Sequence, residues 1–380
     1  MGFENLIKIP KFQLEMLALW PKKMSPMYWF RSVLTYFGVF ILTASQLYNS
    51  ALLYSNFVKF SESLYILISL LNGFEKIVVL ALKKRTLLGI IEKLNTTQFT
   101  KHEKFHRDLI AEVEKIINLM QWVFSIMATL CLVPTVVSPI FDSKSFPLEF
   151  PHFHDNPYYI PFYLFQVWSL ILCTYSNTPV DELYVGITAA LLTQLRMLNN
   201  RLKNTKKNIQ EMKFYSQESR DKFIVVYLTE CCNHYIEIEK LLRDTQDVFS
   251  IIAFTQLGIT IFATCNTGLT LLHGNVNQSQ TVANIFYVLT LFVESGLYCG
   301  FGHYIYEESL KISSSCYFSH WYEESNDAKR IVQILMERTR RPLEVRSLNF
   351  FSLNFNTYQI IVKWSYSYFT FLLHNFQNQH

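Results

Sequence analysis

Ser347–His380 reads SLNFFSLNFNTYQIIVKWSYSYFTFLLHNFQNQH. The stretch is apolar enough to span a bilayer, yet it holds a lysine, Lys363, and many Asn, Gln, Ser and Thr residues. Each such group is costly in hydrocarbon. Their order resolves the conflict. Asn349, Ser352, Asn356, Gln359, Lys363, Ser367, Thr370 and His374 follow one another at steps of three or four. At ~3.6 residues per turn this is one polar stripe along a helix. Asn354, Thr357 and Ser365 lie off it. Such a helix either packs its polar seam against another helix or sets one face on a water-filled pore. One stripe cannot enclose a pore, so the second arrangement needs several subunits around an axis.

The rest of the chain has the same character. Half of its 380 residues are hydrophobic, 16% are aromatic and only 17% are charged, against about 25% charged in a soluble domain. Residues 32–58, 116–141, 156–180 and 248–293 carry no Asp, Glu, Lys or Arg. A span needs about 20 residues, and 248–293 holds two, joined by the polar turn HGNVNQSQ. With a shorter run at 63–82 and the final stretch, seven spans are expected: 32–55, 63–82, 118–140, 160–182, 250–272, 281–304 and 352–373. The fold class is an all-α membrane protein with seven transmembrane helices.

Basic residues set the orientation, because cytoplasmic loops retain Lys and Arg. Thirty lie before span 1 and between spans 2 and 3, 4 and 5, and 6 and 7; the other side has only Lys59 and Lys144. The N-terminus is therefore expected inside and the C-terminus outside. Two sequons test this. Asn277 falls in an outer turn and is a glycosylation candidate, whereas Asn95 falls inside and is expected to stay bare. The first 30 residues do not read as a secretory signal, since lysines break their apolar run. The seven cysteines fall in spans or inside, so free thiols are expected.

The organisation follows: a cytoplasmic segment over 1–31, six spans over 32–304 with long inner loops at 83–117 and 196–249, an inner segment over 305–346, and the stripe helix over 347–380. Within the second loop, Phe223, Val226, Tyr227, Glu230, His234, Ile238, Leu241 and Leu242 recur at helical spacing. Such faces need partners, and mutual packing into an inner bundle is expected. Span 6 carries Gly296, Gly300 and Gly302, small residues that permit close helix contact.

One catalytic motif stands out. HEKFH at 102–106 fits H-E-x-x-H, which on a helix would set His102 and His106 on one face for zinc with Glu103 as general base. It lacks an evident third ligand and sits among Lys101, Lys104 and Arg107; a solvated helix is the simpler reading. There is no Gly-rich phosphate loop, nucleophile elbow or paired-Cys metal pattern. No cofactor, metal or nucleic-acid partner is expected, and no enzyme. Ionisable groups inside spans are more telling. Lys76, beside Glu75, can snorkel to the inner surface. Glu294 and Lys363 either pair with each other or border a water path.

Three segments carry a resemblance. RRPLEVRSLNFFSLNFNTYQIIVKWSYSYFTFLL, above all SLNF and SYSYFTFLL, resembles the C-terminal signature of insect odorant receptors. LYCGFGHYIYEESLKISSSCYFSHWYE is similar to that family's segment after span 6, through Tyr298, Gly302, Ser309, Tyr317 and Trp321. FPLEFPHFHDNPYYIPFYLFQ is similar to its outer loop and the start of span 4, through Pro147, Asp155, Pro157 and Gln166. The chain looks like an odour-specific tuning subunit, without the long insertion of the family's co-receptor. The resemblance implies a ligand-gated, non-selective cation channel in the plasma membrane of sensory dendrites, built as a heterotetramer with the odorant-receptor co-receptor. It further implies a pore lined by helix 7 residues Asn356, Gln359, Lys363, Ser367, Thr370 and His374, with the outer gate around Phe371. Lys363 would then sit in a wide inner part of the path or be neutralised by Glu294. A small volatile ligand would bind in the outer half among spans 2 to 6, where Leu71, Thr129, Val133, Tyr163, Val167, Thr260, Thr264 and Tyr287 are the candidates. The alternatives are a gustatory-type receptor channel and a membrane metalloprotease using HEKFH.

Overall fold

The structure, a computed structural model, describes residues 3–20, 25–54, 57–100, 106–141, 147–148, 159–210, 214–273, 278–348 and 350–377. A 3₁₀ turn at Phe3–Ile7 leads into α1 (Lys8–Met16), α2 (Pro26–Leu52), α3 (Phe57–Leu82), α4 (Lys84–Leu94), α5 (Thr97–Thr100) and α6 (Arg107–Phe141). Then follow α7 (Tyr159–Lys203), α8 (Thr205–Gln210), α9 (Gln217–His273), α10 (Gln278–Tyr317), a second 3₁₀ turn at Trp321–Glu323 and α11 (Asn326–Thr339). Two short strands, β1 (Arg346–Ser347) and β2 (Phe351–Ser352), precede α12 (Phe355–Gln377).

Helix starts follow local chemistry. Ser25 accepts a hydrogen bond from the Tyr28 amide and Pro26 opens α2; the serine satisfies an orphan amide and the proline's missing N–H is no loss there. Length separates two kinds of helix. The 57 residues of α9, at ~1.5 Å each, run to roughly 85 Å, far beyond the ~30 Å hydrocarbon core. The expected inner loops at 196–249 are therefore mostly continuations of α7 and α9. We call the basic end of the bundle its inner end.

Five helices are long and apolar enough on their own to cross a bilayer among the described residues, within α2, α3, α6, α9 and α10. α7 and α12, the expected fourth and seventh spans, are less apolar. In α7 the polar groups point inward: Gln166, Ser169, Ser176, Thr178, Asp181 and Glu182 are all buried. From Thr178 to Arg201 nearly every side chain of α7 is buried, wrapped by the N-terminal turn, α1, α9 and α10. A helix enclosed on all sides needs no amphipathic stripe.

The inner bundle corrects one expected face. Ile224, Leu228, Cys231, Tyr235, Ile238 and Leu242 form the buried side of α9, whereas Val226 is 57% exposed. His234 is buried and its Nε2 lies 2.9 Å from Gln194 Oε1 on α7. All seven cysteines are free thiols.

The glycines of α10 act unequally. Gly296 and Gly300 meet Tyr358 and Phe355 of α12 at ordinary contact distance, 3.7 and 3.6 Å from where a Cβ would stand. At Gly302 a Cβ would collide with the carbonyl oxygen of Leu353. Only glycine lets the chain entering α12 lie against α10.

The opening of the Ser347–His380 stretch is not helical. Arg346 pairs with Ser352 and Ser347 with Phe351 in an antiparallel hairpin, and Leu348 at its tip has φ 46°. Ser250 of α9 pins the hairpin, accepting from Ser347 Oγ through its carbonyl at 2.9 Å and from the Leu348 amide through its Oγ at 2.6 Å. Ser352 thus leaves the expected stripe, and Asn349 lies outside the described residues. The helix starts at Phe355, where Asn354 Oδ1 accepts from the Thr357 amide at 2.9 Å. Asn354 is an N-cap.

Candidate functional site

A cavity of about 260 Å³ opens between α3, α6, α7, α9 and α10. Its walls are mostly apolar, from Ile66, Phe124, Leu132, Leu170, Ile259 and Leu291. Pro147 and Leu148 of the segment between α6 and α7 also line it. Gln166 holds Leu148 in place, accepting from its amide at 3.4 Å and donating to its carbonyl at 3.3 Å.

Polar groups cluster on one side. Asn72 Nδ2 donates to Gln256 Oε1 at 2.9 Å, linking α3 to α9. Ser69 of α3 is hydrogen-bonded to the Tyr287 hydroxyl of α10. Beyond them Glu294 lines the cavity and joins a buried charge cluster. Lys76 Nζ sits 2.8 Å from Asp181 Oδ2 and 2.5 Å from Glu294 Oε1. The Tyr298 hydroxyl donates to Asp181 Oδ1 at 2.7 Å, and its ring stacks on Tyr184 with centroids 4.3 Å apart.

This corrects two expectations. Lys76 does not snorkel; it is fully buried. Glu294 does not neutralise Lys363, because Lys76 already holds it. The low dielectric explains both, since a buried carboxylate needs the cation packed beside it, whereas Lys363 is on an exposed helix face.

The ligand candidates scatter. Tyr287 lines the cavity, and Leu71 lines a second, apolar hollow of about 640 Å³ between α3, α9 and α12. Thr129 Oγ1 lies 3.0 Å from the Tyr175 hydroxyl, and the Tyr163 hydroxyl donates to the Val136 carbonyl at 2.8 Å. Thr260 is buried against Ser295, with hydroxyls 2.6 Å apart. Val133 is exposed, Val167 is half-buried, and the Thr264 hydroxyl is buried without a partner. Of the residues missed, Asn72 and Gln256 matter most. Uncharged amides inside apolar spans were their visible signal.

Along α12 the described stripe survives. Among the described side chains of α12, Ile361 and Ser365 are buried. Nearby Phe369 lies against Gly268 of α9, and Cys265 Sγ is 3.0 Å from the Ser365 carbonyl. Asn356, Gln359, Lys363, Ser367 and His374 are exposed, Thr370 is half-buried, and Phe371 beside them is 59% exposed. At 3.6 residues per turn the stripe lies roughly 175° around the helix from the packed seam. Off-stripe Ser365 faces the seam, and Thr357 Oγ1 donates to the Ser352 carbonyl at 2.6 Å.

The metalloprotease motif is only partly placed. His102 and Glu103, like the sequon at Asn277, lie outside the described residues. His106 precedes α6; burial and then the nearby Arg201 cation lower its pKa. That cation opposes a second one at the imidazole. Asn95 closes α4 and donates to Glu4 Oε1 at 3.0 Å.

A mainly helical bundle with five apolar candidate spans, a cavity among its helices and an exposed polar stripe on α12 has the form of a multi-pass membrane protein. The family model for the 7tm odorant receptors matches residues 56–366, and the chain belongs to that family. It is 25% identical to odorant receptor 92a of Drosophila melanogaster over 62% of this chain, spanning 56% of that protein. It is 22% identical to odorant receptor 2a of the same species over 70% of this chain and 69% of that one. The fold is similar to that of the olfactory receptor OR5 from Machilis hrabei in complex with eugenol, with TM-score 0.85 and 15% identity over 98% of each chain.

Proposed function

We propose that this chain is the odorant-binding subunit of a ligand-gated, non-selective cation channel in the plasma membrane. It works as a heterotetramer with the odorant-receptor co-receptor, with its N-terminus inside and its C-terminus outside. The observation that carries this reading is the α12 stripe. Asn356, Gln359, Lys363 and Ser367 are turned away from the seam that holds the helix and are left uncovered by their own subunit. Bare to lipid, such a row is costly; against water on a shared axis it is not. Sensory dendrites are the expected site, and the cavity between α3, α6, α7, α9 and α10 is the ligand site, with Tyr287 at its wall.

The test is current recording in cells expressing the chain with and without an insect co-receptor, against a panel of volatiles. Ligand-evoked cation current only with both subunits is expected. Silence in every combination despite surface delivery would overturn the reading.

A further inference from the structure

We infer that the cavity selects for ligands carrying a hydroxyl group, an inference that rests on the cavity being the ligand site. The single hydrogen bond from Asn72 to Gln256 uses one donor and one acceptor of the amide pair. Asn72 Oδ1 and Gln256 Nε2 are left buried with no partner, in side chains only 4% and 2% exposed. Turning over both amides leaves the same remainder, one free acceptor and one free donor. Asn177 of α7, packed beside Gly73, also lines the cavity, and its Oδ1 is likewise buried and unpartnered. Of the hydroxyls on the wall, Ser69 is engaged with Tyr287, Thr135 with the Cys131 carbonyl, Thr178 with that of Thr174 and Thr290 with that of Phe286.

A buried donor beside a buried acceptor is an unstable remainder, because each unmade hydrogen bond carries its full desolvation penalty. A guest that completes both gains the most. Terminal amides turn easily, so each free atom can swing towards a guest. A hydroxyl donates to Asn72 Oδ1 and accepts from Gln256 Nε2. An aldehyde or ether only accepts, leaving Asn72 unmet; a hydrocarbon leaves both unmet. The volume suits a small molecule: at interior packing density about 260 Å³ holds roughly ten non-hydrogen atoms.

The probes are n-octanol, octanal, methyl heptyl ether and nonane, matched in non-hydrogen atoms, applied to cells expressing the chain with a co-receptor. For the wild type the half-maximal concentration of n-octanol is expected about tenfold or more below that of the ether, with octanal between them. In Asn72→Leu/Gln256→Leu, verified at the surface by biotinylation, the alcohol and ether should differ by no more than about twofold while the ether still evokes current. Equal potency of alcohol and ether on the wild type, or an undiminished preference in the double variant, would overturn the inference while leaving the channel reading intact. If the double variant fails to reach the surface, the wild-type series decides alone. Silence to all four probes and to the wider volatile panel would instead remove the channel reading, and this inference with it.

Discussion

Lys76 on α3 and Asp181 on α7 lie 105 residues apart in sequence, yet Lys76 Nζ stands 2.8 Å from Asp181 Oδ2 with both side chains buried. Glu294 of α10 completes the cluster from the other side at 2.5 Å. Three helices that wall the cavity are thereby tied at one ammonium. Removing it leaves two carboxylates buried without their cation, and the Tyr298 hydroxyl reaches only Asp181. Lys76→Leu is expected to destabilise the protein by about 3–5 kcal/mol, read as lost surface expression or a lowered melting temperature in detergent. Adding Asp181→Asn and Glu294→Gln should restore much of it. A Lys76→Leu protein as stable as wild type would show that the cluster holds nothing together.

Gly302 makes a sharper steric prediction. A Cβ there meets the Leu353 carbonyl, in a segment already fixed by the bond from the Leu353 amide to the Val345 carbonyl at 2.8 Å. Gly302→Ala should cost about 1–3 kcal/mol by overpacking. Gly258, in mid-α9 with nothing within 4 Å of a would-be Cβ, is the control, where alanine should be neutral or stabilising. Equal melting temperatures for the two variants would refute the close approach.

Lys363 is exposed on α12 and faces away from the seam, while its expected partner Glu294 is held by Lys76. If it borders the ion path, its charge opposes cations across water and salt screens it. Lys363→Glu is expected to raise cation conductance and alter rectification, with the change shrinking as ionic strength rises. Unchanged current, rectification and selectivity would put the ammonium off the path.

The inner bundle should weaken in acid. Glu239 of α9 accepts from Arg243 at 2.5 Å and from Arg338 of α11 at 2.6 Å. Burial alone would push its carboxyl up, but hydrogen bonds and charges from Arg338 and Arg243 outweigh it and hold the carboxyl below its usual range. A depressed carboxyl contributes stability that is full above its unfolded pKa and is lost as pH falls through the folded one. The tie is complete at neutral pH and fades below about pH 4. Glu239→Gln should therefore lower the melting temperature at pH 7 and hardly at all once the wild-type carboxyl is protonated. An equal drop at both would refute the titration.

Helix content and five of the apolar helices were legible because each is a local property of hydropathy. Two features were legible only in part. The stripe from Asn356 to His374 follows from helical period alone, but Ser352 and Asn349 fit the same period and Ser352 is in a hairpin. Periodicity cannot see that Ser250 of α9 captures the chain there. The ligand candidates were read from helix depth, which does not tell which side of a helix meets a void; only Tyr287 of the eight lines the smaller cavity.

What the amino-acid sequence determined by itself is a set of apolar helices, their basic end and the polar face of α12, since each depends on neighbours along one helix. What only the tertiary structure decided is which polar groups meet. Lys76 lies 105 residues from Asp181 and 218 from Glu294, and Asn72 lies 184 from Gln256. Pairing over such separations is set by how α3, α7, α9 and α10 pack. In a low-dielectric interior the nearest partner wins, and proximity there is a property of the fold.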